Sequence, residues 1–382
     1  MQVTTPQLNA CMICAPEMLA LLSRRAKLAA WAIGSGGSAM TESTHISDSF
    51  GRTLRHILFS RATHVAIIAW IAINAAAYWL AGGVIPFDTP SMQRLPFTAR
   101  MLVPTISLLE VFVLMAITFW LTRKRAIPNL AERAPDRRIA ARETALLLAY
   151  ATFAQVGGWL LGPALGYRAF SFHIAGTLFG CSVPPSLGEM WVWMSYNFIC
   201  FALVPFLWFR QRYSALQLNL VSIAPRNDWR VIVVVMLVES LFELTGINAD
   251  FFALSPHQML VGGAMTLFFY GLGTVLPTMI LIYAILLPRY LALTKSPIVT
   301  VILGGLTYAA LHIVEGWSLF DSARWGSLSI LFVLLQYVGP GMIKSVLTLR
   351  TGNAWVHAIG YHLIAPHLLI DTPLFVKALA IR

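Results

Sequence analysis

The sequence predicts an all-α fold, a polytopic transmembrane helical bundle of about eight or nine spans. The chain is 58% hydrophobic and only 11% charged over 382 residues, whereas soluble domains are about half apolar and a quarter charged. Its apolar stretches approach the roughly 20 residues that a helix needs to cross about 30 Å of hydrocarbon. They also lack the alternating pattern of a membrane β-barrel. The lipid bilayer is therefore a predicted partner.

The net charge of +11 does not indicate nucleic acid, because in a membrane protein the position of each Lys and Arg matters more than their sum. We count 21 of them in the N-terminal tail and the even-numbered loops, against four in the odd-numbered loops. Basic loops are retained on the cytoplasmic side. This bias predicts an inner (plasma) membrane protein with a cytoplasmic N-terminus.

Residues 1–60 are polar and rich in Ser, Thr and Gly, and we interpret them as a cytoplasmic tail. The apolar run at 28–33 is too short to span a bilayer. Met40 is an alternative start to Met1. Cys11 and Cys14 form a close pair, but no second pair or nearby His completes a zinc site.

Nine apolar segments follow the tail, and the last is the least marked. The sixth is long enough to tilt, or to break at Pro277, because a mid-helix proline removes one backbone hydrogen bond. We divide the spans into N-terminal transmembrane helices in 61–224 and a C-terminal core in 225–382. The segments are His64–Ile85, Met101–Leu121, Ala140–Leu161, Met190–Trp208, Val231–Ile247, Met259–Leu287, Ile298–His312, Leu328–Leu347 and Ala354–Ile370.

Two carboxylic acids lie four residues apart in the fifth span, Glu239 and Glu243. A helix places both on nearly one face. They could form a paired acid and base. Alternatively, one is a neutral Glu that hydrogen-bonds to a neighbouring helix, and the other lies near the outer membrane interface. Glu110 in the second span is a lone carboxyl, for which a helix–helix hydrogen bond is expected.

Histidines within apolar spans are candidate functional residues, because titratable groups are costly in hydrocarbon. His312 ends the seventh span, and Glu315 follows within a helical turn, where a carboxylate can orient an imidazole. His357, His362 and His367 are five residues apart. An α-helix turns each by about 140° from the last, so we expect them on different faces.

Two motifs in the C-terminal core carry a resemblance to a known family. Tyr308 stands four residues before His312, late in a helix, and a Leu349–Gly352 turn precedes the helix of His362. These features resemble the CAAX protease and bacteriocin-processing (CPBP, or Abi) family of intramembrane peptidases. The resemblance covers about residues 225–370. It implies a CPBP-like core and cleavage of a membrane or prenylated peptide by glutamate-activated water.

The chain departs from the family at two places. The family's Glu-Glu pair and following Arg are expected near Pro277 and Thr278, but none of the three is present. The family's polar residue four positions after the late His is replaced by Pro366. The resemblance thus leaves two outcomes, substitution by Glu239 or Glu243 from the fifth span or a pseudoenzyme without activity.

The predicted function is therefore a CPBP-type intramembrane endopeptidase, active or degenerate. If it is active, we expect Glu239 or Glu243 to act as the base. His312 and His362 would bind the oxyanion or a water held by a divalent metal ion, and Glu315 would lie beside His312. No cofactor is otherwise indicated. The alternative is a non-catalytic membrane partner or transporter-like bundle, in which Glu110, Glu239, Glu243 and the histidines form a polar network or proton path.

Overall fold

The computed structural model describes Arg55 and residues 57–87, 95–170, 172–174, 184–246 and 250–382. Most of the predicted tail, with its cysteine pair and both candidate start residues, lies outside these ranges. All regular secondary structure in the described ranges is helical. Arg61–Arg382 forms one compact unit, in which helices of the N-terminal part and of the C-terminal core pack together.

This unit contains nine helices of at least 14 residues within the described ranges. Seven are long and apolar enough to cross a membrane; the other two are the more polar α5 and the short α7. The predicted helical membrane fold is therefore confirmed. The helices are α1 Arg61–Ala81, α2 Phe97–Leu121, α3 Arg137–Ala164, α4 Leu187–Arg210, α5 Pro225–Gly246, α6 Pro256–Thr294, α7 Pro297–Ala310, α8 Ala323–Thr351 and α9 Trp355–Ala378.

Helix α6 is the central element of the bundle and contacts α3, α4, α7, α8 and α9. It does not break at Pro277. Instead, wider π-helical turns occupy Gly271–Val275 and Met279–Leu286 on either side of the proline. A π-turn bonds each N–H to a carbonyl five residues back, so the backbone adapts around a residue that has no N–H to give. All eight residues of Met279–Leu286 are buried.

Helices α7 and α8 approach each other through glycines. A Cβ added to Gly341 of α8 would lie 2.6 Å from Cβ of Tyr308 and 2.8 Å from Cα of Gly305. A Cβ added to Gly305 of α7 would lie 2.7 Å from the carbonyl oxygen of Val338. Small residues allow such backbone contact in membrane helices.

One end of the bundle carries most of the loop Arg and Lys residues, and we call it the basic end. Here α2, α4, α6 and α8 finish and the following helices begin; the opposite end is the far end. The turn after α8 is fixed at the basic end, where Gly352 adopts a positive φ of 67°. Arg133 donates to the Gly352 carbonyl and to the Asn219 amide oxygen, both at 2.7 Å.

A second group at the basic end joins α2, α5 and α8. Arg125 forms an ion pair with Asp228 at 2.6 Å and donates to the Thr351 carbonyl at 2.9 Å. Asp228 also accepts hydrogen bonds from Ser222 and Asn353. The carboxylate is thus paired and hydrogen-bonded, as a buried charge requires.

Replacement of Gly305 by Ala should weaken the α7–α8 contact. The new methyl group would meet a backbone carbonyl that cannot rotate away, and overpacking of this kind costs about 1–3 kcal/mol. We expect a lower unfolding temperature of the purified protein in detergent. Gly271→Ala is the matched control, because its Cβ would find its nearest neighbour at 3.9 Å. Equal melting temperatures for the two variants would contradict a backbone-limited contact.

Candidate functional site

His173 enters the bundle on the loop between α3 and α4. The loop is anchored by an ion pair between Arg168 and Glu189 at 2.7 Å and by the Thr274 hydroxyl, which donates to the Phe172 carbonyl. Phe172 is buried against Phe201. The His173 side chain is consequently only 10% exposed, although it belongs to a loop.

His312 lies just beyond the end of α7 and is completely buried. Its Nδ1–H donates to the Tyr308 carbonyl at 2.6 Å, which leaves the lone pair on Nε2. Tyr337 of α8 stacks on the ring with centroids 4.1 Å apart. Within the described ranges, Nε2 has no hydrogen-bond partner. A buried acceptor in this state is an unusual feature that calls for an explanation.

The donor atoms of His173, His312 and Glu315 converge. One ligand atom from each lies within 4.8 Å of the others, and Nδ1 of His173 is 3.4 Å from Oε1 of Glu315. Ligands bound tetrahedrally to Zn²⁺ at about 2.1 Å are about 3.4 Å apart, and two His with one Glu is a ligand set of hydrolytic zinc enzymes. Among the described residues this is the group of three donors that fits a metal ion.

The charge state of His173 agrees with this role. Burial, followed by the proximity of His367 and Lys344, lowers the pKa of the His173 imidazole well below its ordinary value. Burial thus favours the neutral form of the ring. A neutral imidazole is the form that binds a metal ion.

The three histidines of α9 share one face, so the expectation that they lie on different faces is wrong. Residues Ala358–Leu369 form a π-helix. Because its hydrogen bonds join residues five apart, such residues lie near one another on successive turns. The ring centroids of His357 and His362 are 6.5 Å apart, and those of His362 and His367 are 5.3 Å apart. The ring centroids of His367 and His173 are also 5.3 Å apart. The row of three α9 histidines therefore extends to the donor group of His173, His312 and Glu315.

His367 has an acidic partner one turn further along. Its Nδ1–H donates to the Asp371 carboxylate at 3.0 Å, and no partner for Nε2 is found within the described ranges. The polar residue four positions after a histidine, absent at His362, thus occurs at His367. A carboxylate in this position fixes the tautomer and the orientation of the ring.

His362 lies in the middle of the row and is buried. Its Nε2 lies 3.1 Å from the Tyr308 hydroxyl and its Nδ1 lies 3.4 Å from the Thr278 hydroxyl. Thr278 lies in the region where the CPBP resemblance led us to expect the glutamate pair. The structure therefore brings that position next to His362 but supplies a neutral hydroxyl there.

Glu239 and Glu243 lie in a separate group on the other side of Lys344. Glu239 is hydrogen-bonded to Glu110 of α2, the helix–helix contact expected for that residue. The Lys344 ammonium is close enough to Glu239 to interact electrostatically, and it lies 3.5 Å from the Tyr308 ring centroid. In the described part of the chain, neither Glu239 nor Glu243 hydrogen-bonds to His312 or His362.

The sequence analysis named His312 and Glu315, which belong to this donor group, and His362, which lies in the neighbouring row of rings, but it did not name His173. The sequence signal that could have indicated a buried His173 is its apolar neighbours in the loop, Phe170, Phe172 and Ile174. All three are buried in the structure. Comparison with known proteins finds no matching family model, curated protein or solved structure.

Metal binding should depend on the three converging donors. We expect the purified protein to bind one Zn²⁺ or Co²⁺ per chain. His312→Ala or Glu315→Gln should weaken binding by more than about 100-fold, since loss of an outer partner alone costs about 10- to 100-fold. Metal analysis after dialysis and the visible spectrum of Co²⁺ provide the measurement.

His357→Ala is the control for this experiment, because His357 is equally buried but lies at the other end of the row. It should bind the metal as the unmodified chain does. A stoichiometric metal ion retained in the His312→Ala protein would rule out this donor set.

Proposed function

We propose that this integral membrane protein is a peptidase-type hydrolase whose reaction centre is formed by His173, His312 and Glu315. The convergence of these donors at a buried position carries the proposal. Two imidazoles and a carboxylate can hold a divalent cation and leave a position open for water. Such an ion activates water and polarises a carbonyl group. This assignment replaces Glu239 and Glu243 with Glu315 as the carboxylate of the centre.

His367 is placed to act as the base. Asp371 holds its Nδ1–H, which leaves the lone pair on Nε2, and the His367 ring lies 5.3 Å from the His173 ring between centroids. In the proposed reaction Nε2 takes a proton from the attacking water, and Asp371 stabilises the resulting imidazolium. A base oriented by a carboxylate in this way contributes about 10²- to 10⁴-fold to a rate.

The depth of the centre indicates the class of substrate. Helix α7 has 14 residues, and a helix of that length covers about 21 Å of a hydrocarbon core of about 30 Å. The centre beyond its end therefore lies below the membrane surface on the far side. With the predicted cytoplasmic N-terminus, this is the outer side of an inner membrane. A membrane or prenylated peptide, the substrate class implied by the CPBP resemblance, reaches this depth.

Peptide cleavage tests the proposal. Purified protein in proteoliposomes should cleave a fluorogenic membrane peptide or a prenylated peptide, and His312→Ala and Glu315→Gln should each lower kcat by about 100-fold or more. His367→Ala should lower kcat in the same range while leaving metal binding intact. His357→Ala should remain active. Unchanged cleavage by the His312→Ala protein would refute the assignment.

A proton path is a second candidate function, supported by the acidic group. Glu239 and Glu243 are buried on α5, and Glu243 interacts electrostatically with Asp371, the partner of His367. Titratable side chains are thus arranged in series from the carboxylic acids of α2 and α5, through Asp371 and His367, to His173 in the loop between α3 and α4. Chains of this composition relay protons in pumps and transporters.

Proton flux separates the second candidate from the first. In proteoliposomes with an internal pH dye, a proton path requires that Glu239→Gln abolish the pH change after an imposed gradient. Glu132→Gln, which removes an exposed carboxylate at the basic end, should leave the flux unchanged. A proton flux that is the same in empty liposomes as in liposomes with the unmodified protein or either variant would exclude the path.

A further inference from the structure

A cavity of ≈ 340 Å³ opens at the basic end, between the end of α2 and the first turn of α5. Its volume lies in the range of small-molecule binding sites. Four of its seven lining residues are cationic and none is acidic; the lining consists of Trp120, Leu121, Arg123, Lys124, Arg125, Asn227 and Arg230.

Three of these cations have no acidic partner among the described residues. Arg123, Lys124 and Arg230 are exposed, and none forms an ion pair with any residue that the structure describes. Arg123 and Arg230 both lie over the Trp120 ring, with guanidinium carbons 5.0 and 5.7 Å from its centroid. The ring therefore holds two like charges, one from the turn after α2 and one from α5, beside the same cavity, an arrangement that an anion would stabilise.

Arg125 supplies the buried part of the site. Its side chain is 8% exposed, and its NH1 and NH2 groups are already used by Asp228, Asn227 and Thr351. Its buried Nε–H has no acceptor within the described ranges. An unsatisfied buried donor of a charged group costs free energy, and an anion in the cavity that this residue lines can accept its hydrogen bond.

We infer that this cavity binds the phosphate group of an anionic phospholipid. Guanidinium groups match phosphate oxygens in geometry as well as charge. The cavity lies at the end of α2, a helix long enough to cross the membrane, and Trp at such a position marks the headgroup level. Basic pockets at this level bind anionic headgroups. The inference does not depend on the proposed hydrolase or proton path.

Lipid binding to the purified full-length protein in neutral detergent tests this site. The probes are short-chain phosphatidylglycerol, phosphatidylcholine of the same chain length and soluble glycerol phosphate, followed by native mass spectrometry and by the unfolding temperature. We expect phosphatidylglycerol to bind at least tenfold more tightly than the other two. The triple variant Arg123→Gln, Lys124→Gln, Arg230→Gln should lose this preference.

The matched control removes three charges from the same end but outside the cavity. Arg137→Gln, Arg138→Gln, Arg142→Gln changes exposed residues of α3 and should retain the preference within twofold. Arg230→Glu, a single exposed change, provides a second variant if the triple substitution lowers expression. It should reduce the preference at least fivefold.

Two results would overturn the inference. Equal loss of binding in both triple variants would show general attraction to a basic surface rather than a site. Glycerol phosphate binding as tight as that of the lipid would assign the cavity to a soluble phosphate ester.

Discussion

The close contact between α7 and α8 is the constraint on which the arrangement of the interior depends. Gly305 and Gly341 allow the two backbones to meet, and this brings Tyr308 of α7 against α8. The same contact sets Tyr337 on the His312 ring and the Lys344 ammonium over Tyr308. A larger side chain at either glycine would move Tyr308 of α7 away from Lys344 of α8. These two residues lie between the histidines and the carboxylic acids Glu239 and Glu243. A packing requirement of two glycines therefore determines which polar residues meet.

Polar groups in the bundle are stabilised at three levels along its axis. The basic end is held by Arg125 with Asp228 and by Arg133 with the turn after α8. A third pair, Arg289 with Glu143 at 2.6 Å, joins α3 to α6 there. The far end is held by Arg168 with Glu189. Between them lie the histidines and the carboxylates of α2 and α5. Non-helical backbone at membrane depth is tolerated where protein covers it, and the buried loop of His173 meets that condition.

The sequence carried enough information for the helices but not for the contacts between them. Nine apolar segments were predicted, and the described part of the chain contains nine helices of at least 14 residues, because the length and hydropathy of a span are local properties. His173 could not be placed this way, since its position depends on an ion pair and on a hydrogen bond from α6. The shared face of His357, His362 and His367 was missed because the prediction assumed α-helical turns. Glu239 or Glu243 would have to approach His312 and His362 to serve as the base, and the sequence does not fix the direction in which a helix faces around the bundle axis.

The central position of α6 has a consequence for the order in which the bundle forms. Helices α3 and α4 precede α6 in the chain, whereas α7, α8 and α9, which also contact it, follow it. During synthesis α6 therefore enters the bilayer before three of these five neighbouring helices exist. Lipid must cover its surface until those helices arrive, and their packing then replaces lipid with protein. Closure of the interior is thus a late event that follows insertion, and the histidine row of α9 is completed only when the last helix has been made.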